Sequence, residues 1–265
     1  MSLHDDYARV TPYELAFEDP QRIDELASAV EEEAAGRGVA SRDLNGFLTL
    51  GTVDAFVREI AGEAADPAAL HQYGPLAFHL VRFQREGKSL FLLSTHVARY
   101  LVEGAPDGEP EPPATAGYLQ LPQHLFWTKA AGDAPESVDG VFWSSSSGGI
   151  LHTLMVTGIR PDRPGLGAIP LPAAPLDDRS EWLELTARQE EPDFVTDLPG
   201  ADLDGLYEMK TAGEIFKLLA RFFAYVQGAP EPLETASAPP TSEEGAQRVP
   251  SPSSLEYARV TLGRD

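Results

Sequence analysis

Through its first hundred residues the chain repeats apolar positions at the three-to-four spacing of helices, and its centre then breaks into short apolar or aromatic runs divided by turn residues. Asp19 and Pro20 supply a cap and a first-turn proline, and Ile23, Leu26, Ala27 and Val30 then share one face until Gly36 offers a stop. A second helix is predicted over 52–61, where Val53, Phe56, Val57 and Ile60 form a stripe. Asp66 and Pro67 open a third, carrying Leu70, Leu76, Phe78, Leu80 and Val81, which Gly74 and Pro75 are expected to bend or split. A strand follows over 89–93. Thr95 then caps a short helix with Val97, Leu101 and Val102, ended by Gly104, and 105–117 reads as an exposed loop.

Segments 118–121, 124–129, 138–144, 150–157 and 166–171 predict a central antiparallel meander, with 145–149 as a hairpin loop. Thr211 and Glu214 then form a capping box ahead of Ile215, Leu218, Leu219, Phe222, Phe223 and Val226, with Phe216 at the edge of that stripe. The fold class expected is therefore α+β: a helical N-terminal half packed with a central antiparallel β-meander and a long C-terminal amphipathic helix. Residues 1–227 form one globular domain in this reading. Segment 228–254, rich in Pro, Ser and Glu and poor in large apolar residues, is expected to be a disordered linker leading to a terminal peptide, 255–265.

That terminal peptide contains the least random feature of the chain. Tyr-Ala-Arg-Val-Thr occurs at 7–11 and again at 257–261, each copy directly after an acidic residue, Asp6 or Glu256. Alternation of Tyr257, Arg259 and Thr261 against Ala258 and Val260 suits an extended strand added to a sheet edge, where backbone bonds give affinity and alternate side chains give selection. The partner-binding residues expected on this basis are Tyr7, Arg9, Val10, Tyr257, Arg259 and Val260. The peptide is expected to dock on its own domain, on a second copy of the chain or on a protein partner. Leu255, Tyr257 and Val260 also match a loose phosphotyrosine-domain pattern, a match that eight tyrosines make unsurprising.

Forty-two acidic against 20 basic residues give a net charge of −22, which repels nucleic acid and anionic membranes. No run is long enough to span a bilayer, and cysteine is absent, so thiolate chemistry and disulfides are excluded and a cytoplasmic location is expected. No cofactor is expected, because neither a Walker pattern nor a Rossmann fingerprint occurs. No metal site is expected either: the histidines lack ligand spacing, and a calcium loop aligned on Gly205 puts Gly200 and Thr211 at the ligand ends. Ser144 to Ser147 before Gly148 lack the first glycine of a nucleophile elbow and read as a hairpin.

The repeated peptide, with no catalytic motif beside it, thus favours a nonenzymatic interaction or adaptor protein over two rivals. One is a small-ligand protein or enzyme with a cleft beside the sheet, where Arg160, Asp162 and Arg163 present guanidinium and carboxylate groups and His124 or His152 adds an imidazole. The other is a structural subunit of a larger assembly.

Overall fold

A computed structural model describes residues 21–40, 48–61, 67–104, 110–122, 125–128, 136–146, 149–157, 167–171, 173–175, 193–194, 207–209, 212–228, 233–236 and 256–262. It combines helices with a mixed sheet, an α+β arrangement. Three helices come first: α1 (Gln21–Gly36), α2 (Leu50–Ala61) and α3 (Pro67–Arg85). They meet through Ala27, Val30 and Ala34 of α1, Val53 of α2 and Ala77, Phe78 and Val81 of α3. The expected break at Gly74 and Pro75 does not divide α3, which runs on as one helix. Gly74 instead lies against the Asp54 carboxylate, so the missing side chain is what lets α2 approach.

Gly87, at φ +92°, turns the chain out of α3 into β1 (Leu90–Leu93). Helix α4 (Thr95–Glu103) follows, and its cap is Ser94 rather than Thr95: the Ser94 hydroxyl accepts from the Val97 amide at 3.3 Å. Strands β2 (Ala116–Gln120), β3 (Phe126–Thr128), β4 (Glu136–Ser145), β5 (Ile150–Thr157), β6 (Gly167–Pro170) and β7 (Ala174–Pro175) come next. The two-residue β8 (Asp193–Phe194) and β9 (Tyr207–Glu208), then α5 (Ala212–Gly228), β10 (Leu233–Ala236) and β11 (Tyr257–Val260), complete the described elements.

The antiparallel ladder β2-β4-β5-β6 occupies the middle of the sheet, but the sheet is not a meander throughout. Strand β1 runs parallel to both β2 and β11, and β3 runs parallel to β9. The reason is connectivity: β1 reaches β2 through α4, a crossover that returns the chain in the same direction. The helix expected before the tail also differs in character. Nearly every described residue of α5 is buried or half-buried, Phe216 included, and only Gln227 and Gly228 are exposed, so α5 has no broad polar face.

The sheet separates two apolar layers. On one face Phe91, Leu93, Leu119, Val141, Trp143 and Met155 pack with Val97 and Leu101 of α4 and Ile215, Leu219, Phe222 and Phe223 of α5. On the other, Phe142 packs at a tilt against Tyr118 with a ring separation of 4.5 Å and meets Phe83 of α3 edge-on at 5.8 Å. Strands are buried on both faces there, which explains why Tyr118 and Leu119 of β2 and Val141, Phe142 and Trp143 of β4 are apolar without alternating.

Candidate functional site

The second copy of the repeated peptide is a strand inside the sheet. Strand β11 lies between β1 and β10, parallel to the first with Phe91 opposite Ala258 and Leu93 opposite Val260, and antiparallel to the second with Leu233 opposite Val260. Both edges of its backbone are therefore used. Strand β10 falls within 228–254, the stretch expected to be a linker, because it borrows its stability from β11 rather than from apolar content of its own.

Alternation then sorts the side chains. Val260 is 0% exposed and joins the core with Phe91, Leu93 and α5, and Ala258 packs against the same cluster. Arg259, opposite Leu92, takes the other face and is half-buried. The strand is also pinned from outside the ladder, since the Tyr225 hydroxyl of α5 donates to the Thr261 carbonyl at 2.6 Å. Tyr225 in turn meets Tyr100 of α4 edge-on at 5.7 Å. At the flanks, Glu256 is exposed and Leu262 is 45% exposed.

Tyr225, Phe91, Leu93 and β10 were not visible as site residues. Tyr225 looks like one more ring in an apolar helix, and Leu-Glu-Thr-Ala is too short and too close to prolines to read as a strand. Tyr7, Arg9 and Val10 lie outside the described residues, as do Arg160, Asp162, Arg163 and His124. Thr211, the cap expected for α5, and the acidic residues 197–204 lie outside them too.

His152 is described, and the structure brings it to a group that spacing did not reveal. Its ring lies 5.5 Å from that of Phe78, which meets His79 at 5.1 Å. His79 shares a 3.1 Å hydrogen bond with Ser144, and Arg82 donates to the Ser145 carbonyl at 2.8 Å. Burial, with His152 and Arg82 nearby, pushes the His79 pKa down to about 3, and burial with Arg82 also lowers that of His152. A buried serine facing a neutral imidazole whose charged neighbour is a guanidinium does not match a hydrolytic triad, in which a carboxylate orients the histidine. The group ties α3 to the end of β4. Among the described residues no three His, Cys, Asp or Glu side chains are gathered as metal ligands, and no described helix is long and apolar enough to cross a membrane.

This histidine makes folding sensitive to acid. Between pH 6.5 and about 3 the unfolded chain binds a proton at residue 79 that the folded chain does not, so stability present above pH 6.5 is lost as the pH falls. The slope from one such group approaches about 1.4 kcal/mol per pH unit. His79→Gln, which keeps a polar partner for Ser144, is expected to flatten the stability curve between pH 6 and 4, as measured by urea midpoints across that range.

Comparison of the chain with known protein families, with characterised proteins and with solved structures found no match in any of the three.

Proposed function

We propose that this is a nonenzymatic, cytoplasmic interaction protein whose strand β11 is an exchangeable element, closing its own sheet in one molecule and entering the equivalent position of a second copy in an assembly. The observation that supports this reading is the interior position of β11, whose residues arrive at β1 from more than 160 positions away in the chain. A strand held mostly by backbone bonds and one buried valine has few contacts that depend on which molecule supplies it. The large negative charge disfavours nucleic acid and anionic membranes as alternative partners.

Exchange is testable in the full chain. A protease site placed within 240–250 allows the tail to be cut after folding. The cut segment is expected to remain bound and then to exchange with a labelled synthetic peptide 255–265, and two differently tagged intact chains are expected to form mixed dimers on mixing at high concentration. Failure of the labelled peptide to enter, together with strictly monomeric chains at every concentration, would falsify the reading.

A further inference from the structure

We infer that the position filled by β11 has a second ligand inside the same molecule, the N-terminal copy at 7–11, so that the two ends of the chain compete for one place in the sheet. This rests on the strand-exchange reading above and adds to it a built-in competitor. The two copies agree and differ in step with the contacts that β11 makes. They are identical over 257–261, the residues that pair with β1 and β10, bury Val260, place Arg259 on the opposite face and present a carbonyl to Tyr225. Val10 then takes the buried place of Val260, Ala8 that of Ala258 and Arg9 that of Arg259.

The differences fall outside that stretch. Asp6 replaces the exposed Glu256 and keeps its charge, and Pro12 replaces Leu262, which is 45% exposed. A proline there also biases Thr11 toward the extended backbone that the strand requires. Identity over what the sheet touches, with exposed side chains at the two described flanking positions that differ, is the pattern expected of two ligands for one site.

Reach permits the same-chain arrangement. The nine residues between Thr11 and α1 span up to about 30 Å when extended. Helix α1 packs on α3, and β11 lies two strands beyond β2. Two strand spacings and two helix layers amount to roughly 25 to 30 Å, within that span. A same-chain ligand also has the advantage of high effective concentration. Its occupation of the sheet releases 256–262 for a second copy.

A double-mutant cycle in the full chain, read by denaturation midpoint and by amide exchange, tests the competition. Val10→Asp alone is expected to change little. Val260→Asp is expected to release its own strand and to raise protection of amides 7–11 about tenfold. Combining the two should lower the midpoint by more than the sum of the single effects and abolish that protection. The milder Val260→Thr gives the same pattern at reduced size should the aspartate variant not fold. Additive midpoints with residues 7–11 unprotected would overturn the competition while leaving strand exchange standing. If Val260→Asp changes neither the midpoint nor protection of 256–262, even beside Val10→Asp, the exchange reading itself fails. Protection of 7–11 that rises with protein concentration would assign the N-terminal copy to a second molecule and overturn the same-chain assignment.

Discussion

Trp143→Ala is expected to lower the unfolding free energy by about 3 to 5 kcal/mol, read as a shift in urea midpoint with unchanged slope. Its indole is 0% exposed at the centre of β4. The rings of Phe91, Phe222 and Phe223 surround it at 5.7, 6.0 and 5.4 Å, so sheet and α5 meet on this one side chain. Removing it loses the transfer free energy of the largest apolar group in the core and leaves a void that three rings on two different elements cannot all move to fill. It also takes the indole donor away from the Ala114 carbonyl, now bonded at 2.9 Å, a further loss of about 1 kcal/mol. A domain with about 5 to 15 kcal/mol of stability is brought close to unfolding by this change.

Gly117→Val is expected to be nearly as damaging by the opposite route. Gly117 lies directly across from Trp143 in the β2-β4 ladder, and a Cβ on it would overlap sterically with the indole Cζ2. The indole lies over the bare backbone of residue 117, and any side chain there must displace it into Phe222 and Phe223. Overpacking of this kind costs about 1 to 3 kcal/mol, and more where the neighbours are themselves enclosed. The two substitutions are coupled. In the double variant Gly117→Val/Trp143→Ala the valine enters the space that the indole leaves, so its midpoint is expected to lie above the sum of the single losses; strict additivity would show that Gly117 acts through its backbone alone.

How much of this was legible in the sequence varied with the range of the interaction that decides each element. Helices α1, α2, α3 and α4 rest on local spacing, and the expected ranges fall within a few residues of those observed; the caps expected for α1 and α3, Asp19 and Asp66, lie outside the described residues. The antiparallel core of the sheet follows from short runs and tight turns. Strand β2 begins at Ala116 inside what reads as a loop, because Gly117 looks like a turn residue until Trp143 is seen against it. The parallel pairings of β1 are decided by partners far along the chain, which no local pattern encodes. Of the candidate site, Val260 and the alternation along β11 were readable, because a strand's two faces follow from sequence parity. Its neighbours β10 and Tyr225 were not, since each acquires its role only from the strand beside it.

The pairing of β1 with β11 also sets an order of events in folding. Phe91 and its partner Ala258 enclose a loop of more than 160 residues, and the entropy of closing it must be met before that ladder yields anything in return. On the ribosome, helices α1 to α4 and strand β1 emerge well before β11 is made. A nascent chain therefore carries an unsatisfied edge along Leu90–Leu93, apolar and ready to pair with a neighbour on the same polysome, until 257–260 or a substitute covers it.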